Sequence, residues 1–153
     1  KDRIHFAFTD GHPHVEPTNS IYYIYYQKET FYNADGTKIR DMRNLPVQHK
    51  EADLVYDGTK DSVRAWIWDI AVDNHNRPVI VYSRLPKKTE HYYYYACWDG
   101  KKWIDSKICA AGKWFLETPK GKKEREVYYS GGVVLDHNDP NIVYLSRQVN
   151  GVF

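Results

Sequence analysis

Short apolar segments alternate with polar turns along the chain, and two stretches repeat the same order of segments. In the clearer stretch, an apolar strand at 66–73 is followed by a polar turn at 74–78 and a second apolar strand at 79–84. A later stretch has a strand at 129–136, a turn, and a return strand at 142–147. Apolar runs that meet at a polar turn predict antiparallel hairpins, and their recurrence predicts a repeat architecture.

Another copy of the return strand lies at 3–9, and aromatic-rich runs follow the first two return strands. These runs lie at 20–26 and 91–97, and aromatic residues favour pleated, half-buried strands. Asp-Gly pairs at 35–36 and 99–100 have the sequence of hairpin turns that lead into a fourth strand. Because no stretch shows a 3.6-residue apolar period, the sequence predicts an all-β fold of four-stranded antiparallel sheets.

Four-stranded units that recur with Trp and Gly at similar places are typical of β-propeller blades. The repeat predicts blades at 1–45, 62–110 and 127–153, the last of them incomplete. A closed ring needs about four to eight blades, so we expect this chain to be a fragment of a larger ring. Because unpaired strand edges promote aggregation, we expect the remaining blades of the same protein to cover them.

The composition narrows the class of partner. The 153 residues have a formal net charge of +2 with both signs mixed, which gives no basic stripe for nucleic-acid binding. No apolar run approaches the roughly 20 residues of a membrane-spanning helix, so no membrane span is expected. Two cysteines are too few for a disulfide framework.

Antiparallel pairing predicts which side chains meet at one end of the blades. A turn centred on Asn76 would place Trp68 opposite Arg84, and the later copy would place Tyr129 opposite Arg147. The loop after the first return strand should lie at the same end. The predicted rim therefore gathers imidazole, guanidinium and aromatic side chains: His12, His14, Trp68, Arg84, Tyr128, Tyr129 and Arg147.

This set of side chains favours an anionic sugar as the ligand. Guanidinium groups bind carboxylates through paired hydrogen bonds, and aromatic faces stack on sugar rings. Trp66 is better suited to packing, Trp68 suits either role, and one imidazole of the loop could be structural. Arg84 and Arg147 could equally pair with neighbouring carboxylates. We expect an acidic polysaccharide or oligosaccharide as partner, and no cofactor.

Cys97 and Cys109 could be free thiols, a disulfide across the hairpin at 99–100, or metal ligands together with His91. Zinc is disfavoured because six residues of extended strand separate His91 from Cys97 by about 20 Å. A disulfide and two buried thiols both fit the sequence.

Four segments together resemble the BNR-4 repeat family, distant relatives of the bacterial neuraminidase repeat. They are WIWDIAVD at 66–73, RPVIVYSR at 77–84, WDGKKW at 98–103 and YSGG at 129–132. The Asp-Gly turns resemble degenerate Asp-boxes, and the resemblance covers essentially the whole chain. It implies a secreted or periplasmic bacterial protein that acts on polysaccharides, and some relatives are seven-bladed polysaccharide lyases.

The resemblance further implies β-elimination on a uronate-containing glycan such as ulvan or the glucuronate ends of plant gums. An Arg would neutralise the carboxylate so that a His or Tyr can remove the adjacent proton. By position, these roles fall to Arg84, His12 and Tyr129. Ulvan lyases of this type have a Tyr where this chain has Trp68, which cannot exchange a proton. Either His12 and Tyr129 perform both proton transfers, or the protein binds the glycan without cleaving it.

Two functions stay open beside the lyase: a non-catalytic glycan-binding propeller and a sialidase-like glycoside hydrolase. Hydrolysis needs two carboxylates that flank the scissile bond, and the predicted rim offers only Asp10, Asp69 and Glu126. Strand alternation predicts that Asp69 points to the opposite face from Trp68. The hydrolase therefore ranks below the lyase.

Overall fold

The computed structural model describes residues 2–87, 89–112, 121–122, 132–147, 149–150 and 152. These residues form three antiparallel sheets. The strands are β1 (Ile4–Thr9), β2 (Ile21–Gln27), β3 (Thr30–Tyr32), β4 (Lys38–Asp41), β5 (Asp53–Tyr56), β6 (Arg64–Val72), β7 (Pro78–Lys87), β8 (Glu90–Trp98), β9 (Trp103–Gly112), β10 (Val133–Leu135) and β11 (Val143–Leu145). One α-helical turn, α1 (Gly58–Asp61), and two 3₁₀ turns, Met42–Asn44 and His49–Glu51, complete the described secondary structure.

The second sheet has four strands in the order β6-β7-β8-β9, as the repeat predicts. The aromatic run at 91–97 lies within β8, and the Asp99-Gly100 turn connects β8 to β9. Alternate side chains of β7 point to opposite faces, yet residues Pro78 to Ser83 are all buried. This sheet is therefore covered on both faces.

The first sheet departs from the predicted four-strand plan. One edge of β2 pairs with β1, and the other edge pairs with β3 along one half and β5 along the other. The β2–β3 hairpin closes through Lys28 and Glu29, which both have positive φ. Asp35-Gly36 therefore connects β3 to β4 and is not equivalent to Asp99-Gly100, contrary to the sequence prediction.

Three hairpin turns are closed by an aspartate whose Oδ1 accepts two backbone hydrogen bonds. Asp73 Oδ1 accepts from the amides of residues 75 and 77 at 2.8 Å each. Asp99 Oδ1 accepts from residues 101 and 102 at 2.7 and 2.8 Å, and Asp136 Oδ1 from residues 138 and 139 at 2.8 and 3.2 Å. These backbone hydrogen bonds lower the pKa of Asp99 and Asp136, because they stabilise the charged form.

Two apolar clusters hold the three sheets together. Between the first and second sheets, Ile21, Tyr23 and Tyr56 pack with Ile80 and Tyr82. Between the second and third sheets, a separate cluster contains Val79, Val81, Tyr93, Val133 and Leu135. This stacking is consistent with successive propeller blades, although the described residues do not close a ring. Within the same residues, no helix is long and apolar enough to cross a membrane.

Candidate functional site

The loop after β1 is fixed to the start of β6 by one buried amide. The fully buried Asn19 accepts a hydrogen bond from Gly11 N at 3.0 Å and donates to Gly11 O and Ala65 O at 2.9 and 2.8 Å. Arg64 Nη1 donates to Pro13 O at 2.9 Å. Because Asn19 uses both ends of its amide, the loop has a defined position relative to the second sheet.

A second group of hydrogen bonds connects the same loop to the start of β2 and to α1. Asp10 Oδ2 accepts a hydrogen bond from Ser20 N at 2.8 Å, and Ser20 Oγ accepts one from Gly58 N at 3.0 Å. A side chain at Gly58 would meet the backbone oxygen of Asn19 at 2.7 Å, so only glycine fits there. The segment before β6 and the loop after β1 therefore pack as one unit.

This loop positions His12 against the first tryptophan of β6. The ring centroids of His12 and Trp66 are 4.7 Å apart with an interplanar angle of 71°, an edge-to-face contact. His12 Nδ1 accepts a hydrogen bond from the backbone amide of His14 at 3.1 Å. A neutral imidazole that accepts at Nδ1 has its proton at Nε2, so His12 presents a hydrogen-bond donor.

The aromatic contacts continue along β6 toward the third sheet. The Trp66 and Trp68 rings stack with centroids 6.5 Å apart and an interplanar angle of 18°. Trp68 Nε1 donates to Ser83 Oγ at 2.5 Å. A Cβ at Gly132 would lie 2.4 Å from the Trp68 ring, so the glycine backbone packs directly on the indole. His12, Trp66, Trp68 and Gly132 thus form a continuous row across all three sheets.

A cavity of about 410 Å³ lies beside this row. Its walls include Phe8 and Thr9 from β1, His12 and Pro13 from the loop, and Trp66 from β6. The His12 side chain is exposed and Trp66 is half-buried. An aromatic surface beside polar donors is the arrangement that sugar rings use for stacking and hydrogen bonding.

The predicted pairing of Trp68 with Arg84 is wrong. The hairpin pairs Val72 with Pro78, so its centre is residue 75 and not Asn76. The register also shifts by one residue at Trp68, because a β-bulge lies between Ile67 and Asp69. Arg84 consequently pairs with residue 65 and not with Trp68. Because the bulge shifts the register by one residue, Arg84 and Trp68 point to opposite faces of the sheet.

Arg84 lies in the joint between the first and second sheets. Its guanidinium carbon is 3.8 Å from the Tyr56 ring centroid and 3.9 Å from that of Tyr94, and its Nη2 donates to Tyr82 Oη at 2.6 Å. The same nitrogen pairs with Asp105, which also accepts from Tyr82 at 2.8 Å. Burial raises the pKa of Tyr56 to about 12, although the nearby arginine opposes this. The alternative that Arg84 pairs with a neighbouring carboxylate is therefore confirmed, with Asp105 as the partner.

The other predicted rim residues are His14, Tyr128, Tyr129 and Arg147. His14 is exposed in the loop with its ring 6.4 Å from that of His12, so the structure brings these two imidazoles together. Tyr128 and Tyr129 lie outside the described residues. Arg147 is exposed and follows β11.

The predicted register of the last hairpin is also wrong. A hairpin with Tyr129 opposite Arg147 would place Gly132 opposite Tyr144. Instead, Ser146 N donates to Gly132 O at 3.0 Å. The reason is a wide turn, which Asp136 N closes by donating to the carbonyl of residue 142 at 3.0 Å.

Asp69 lies on the same side of the second sheet as Trp68, contrary to the prediction from strand alternation. Asp69 Oδ2 accepts from Leu135 N at 3.0 Å, and His137 Nε2 lies 3.0 and 3.1 Å from its two oxygens. Trp68 packs against the cluster that contains Leu135. The bulge causes this, because it lets two successive side chains point to one face. Asp69 therefore binds the third sheet, and the partner carboxylate proposed at Glu126 lies outside the described residues.

Cys97 and Cys109 are free thiols. Cys97 pairs with Ile104, and Cys109 pairs with Tyr93, which lies four residues or about 13 Å from Cys97 along β8. A disulfide needs Cα atoms within about 7 Å, so this register excludes one. Burial raises the pKa of the Cys97 thiol. No group of three or more His, Cys, Asp or Glu side chains that could hold a metal occurs among the described residues.

Sequence reasoning missed Trp66 as a member of the site and gave no role to Asn19. The signal for Trp66 was its spacing of two residues from Trp68, which places both rings on one side of a strand. No local pattern distinguishes Asn19 from other loop residues, because its partner Ala65 is distant in sequence.

Comparison with known proteins identifies a matching family. The family model described as "BNR repeat-containing family member" matches residues 1–111. No curated protein and no solved structure matches the chain.

Proposed function

The chain belongs to the BNR repeat-containing family, and from this premise we propose that it binds acidic carbohydrate at the row formed by His12, Trp66 and Trp68. Membership indicates a carbohydrate-related β-propeller in general, and the site supplies the specific hypothesis. The single observation that supports it is the packing of His12 against Trp66 at the mouth of the cavity. The two rings come from the loop after β1 and from β6, so the contact depends on the fold.

The chemistry of these side chains matches a sugar acid. The exposed part of an indole can stack on the apolar face of a pyranose ring, while an Nε2–H donor can bind a hydroxyl or carboxylate oxygen. The Asn19 hydrogen bonds fix the loop before any ligand arrives, which reduces the entropy cost of binding. His14, Tyr128 and Arg147 stay predicted substrate-binding residues. We also propose a secreted or periplasmic location, because a protein encounters polymeric glycans in those compartments.

Calorimetric titration with uronate oligosaccharides, and with neutral oligosaccharides of equal length, tests the binding proposal. We expect Trp66→Ala to weaken uronate binding about tenfold, which corresponds to about 1.4 kcal/mol of lost stacking. His12→Ala should weaken it similarly and reduce the preference for the acidic sugar. His137→Ala and Tyr144→Ala serve as matched controls, since both side chains are exposed and neither lines the cavity. Unchanged affinity in Trp66→Ala with the fold intact would contradict the proposal.

Cleavage by β-elimination is the second candidate, and the exposed imidazole of His12 beside the cavity favours it. To protonate the leaving oxygen, His12 would act as an imidazolium that gives up its Nε2 proton and becomes neutral, while an ionised Tyr129 would take the proton next to the carboxylate. Arg84 is already enclosed by Tyr56 and Tyr94, so we do not assign it to the substrate carboxylate.

Ultraviolet absorbance of the unsaturated uronate product separates the two candidates. A lyase produces a rise that is lost in His12→Gln, while binding persists in that variant. A binding protein gives no rise with any uronate polymer, although calorimetry still detects the complex.

A further inference from the structure

Arg64 contacts the loop that carries His12. It is the first residue of β6, two positions before Trp66, so both side chains leave the strand on the same face. Its Nη1 donates to Pro13 O at 2.9 Å, and its Nε donates to Pro17 O at 3.4 Å. The half-buried guanidinium is thus held by two carbonyls of one loop.

One peptide group connects Arg64 to His12. The oxygen of the peptide between Pro13 and His14 accepts from Arg64 Nη1, and the N–H of the same peptide donates to His12 Nδ1 at 3.1 Å. A cationic donor at the oxygen of a peptide makes the N–H of that peptide a stronger donor, because hydrogen bonds in a chain polarise one another. The two bonds therefore form a relay from Arg64 to the imidazole.

The loop backbone and Trp66 hold the relay in place. His12 O accepts from Val15 N at 2.9 Å and from Glu16 N at 3.0 Å, so the relay peptide lies inside a hydrogen-bonded turn. The edge-to-face contact of the His12 ring with Trp66, at 4.7 Å between centroids, orients the imidazole. The hydrogen bond at Nδ1 is therefore a property of the folded loop.

We propose that Arg64 is a positioning residue, which acts through the peptide between Pro13 and His14 and holds His12 in the tautomer with its proton on Nε2. The hydrogen bond at one imidazole nitrogen determines which nitrogen has the proton, and a neutral ring that accepts at Nδ1 has it on Nε2. The consequence for ligand binding rests on the proposed function, in which this Nε2–H binds an oxygen of the sugar acid.

Nitrogen-15 NMR of the histidines in the full-length protein tests the relay without any ligand. At alkaline pH, the chemical shifts of the two ring nitrogens report the ratio of the two neutral tautomers of His12. We expect Arg64→Met, which keeps the apolar stem but has no donor, to lower the ratio of Nε2–H to Nδ1–H about threefold. Arg64→Lys should retain most of the wild-type ratio, because its ammonium can donate to Pro13 O.

Arg43→Met is the matched control, because Arg43 is an exposed arginine in the 3₁₀ turn Met42–Asn44. It removes the same charge from another part of the surface and should leave the tautomer ratio unchanged. His12→Gln identifies the His12 signals among those of the seven histidines.

A double-variant cycle connects the relay to ligand binding. In calorimetry with a uronate oligosaccharide, Arg64→Met should weaken binding about threefold, in line with the tautomer ratio. The double variant of Arg64→Met and His12→Ala should bind no more weakly than His12→Ala alone, because both residues act through one donor.

Three results would overturn the inference. Equal tautomer ratios in the wild type and Arg64→Met would show that the relay has no effect on His12. A fall in Arg64→Lys as large as that in Arg64→Met would show that the ratio does not follow the positive charge. Additive losses of affinity in the double variant would mean that Arg64 does not act through His12. A wild-type protein that binds no sugar contradicts the proposed function instead, and the tautomer ratios still decide the inference.

Discussion

Strands β1 and β7 follow the same local pattern but occupy different environments. Pro78 to Ser83 of β7 are buried on both faces and pair with strands on both edges. Among the described strands, β1 pairs only with β2, and its residues Ile4 and Phe6 are exposed. The difference shows that the pattern along a strand determines its conformation, whereas neighbouring sheets determine how much it contributes to stability.

The largest difference in stability is expected between the same isoleucine-to-alanine substitution in the two strands. Ile80→Ala should lower the free energy of unfolding by about 2–5 kcal/mol, because it opens a cavity in a closed joint. Ile4→Ala should change it by less than about 0.5 kcal/mol in dilute solution. Urea denaturation measures both values. Equal losses would mean that β1 is as well covered as β7.

A smaller effect is expected when the arginine of the first joint is removed. Arg84→Ala should cost about 2 kcal/mol, since Asp105 loses its ion-pair partner and two tyrosine rings lose their cation. The matched control is Arg77→Ala, which removes a more exposed pair with Asp73 and should cost less than about 1 kcal/mol. Denaturation curves for the two variants are compared. A stable Arg84→Ala protein that no longer binds uronate would instead assign Arg84 to the ligand.

Alkaline pH should weaken the same joint. Burial raises the pKa of Tyr56 to about 12, so the folded state holds a proton that the unfolded state loses near pH 10. Stability is therefore complete below pH 10 and declines as the pH rises toward 12. Thermal unfolding across this range measures the decline, and Tyr56→Phe should reduce it. An equally steep decline in Tyr56→Phe would assign the effect to other groups.

The smallest effect is expected at the second joint, where the polar contact is exposed. His137→Ala should change the free energy of unfolding by about 0.5 kcal/mol or less, because Asp69 keeps its hydrogen bond from Leu135 N. Thermal melting at neutral pH is sufficient to measure it. A loss as large as that of Arg84→Ala would show that the two joints depend equally on polar contacts.

The sequence was sufficient to predict strands and hairpins, because alternation and polar turns are local properties. It was insufficient for register. The wrong turn centre displaced the partner of Arg84 by two residues, which keeps the face, and the bulge at Trp68 added one more residue and so moved Arg84 to the face opposite Trp68. Because the same bulge interrupts regular alternation, the prediction also placed Asp69 on the wrong face of the sheet.

The site was predicted in part, for a related reason. His12, His14 and Trp68 do lie near one another, because loops at one end of stacked sheets share a rim. Their contact through Trp66 depends on Asn19, which bonds to Ala65, 46 positions away. Long-range hydrogen bonds of this kind leave no periodic signal in one sequence.

The bulge at Trp68 also determines which side chains of β6 point to each face of the sheet. Residues before it and after it obey opposite parity, so Ala65 and Ile70 share a side although five positions separate them. Deletion of a single residue there would restore simple parity and turn the first half of the strand inside out. Trp66 would then exchange places with its neighbours, and the protein would lose its aromatic row without losing a strand.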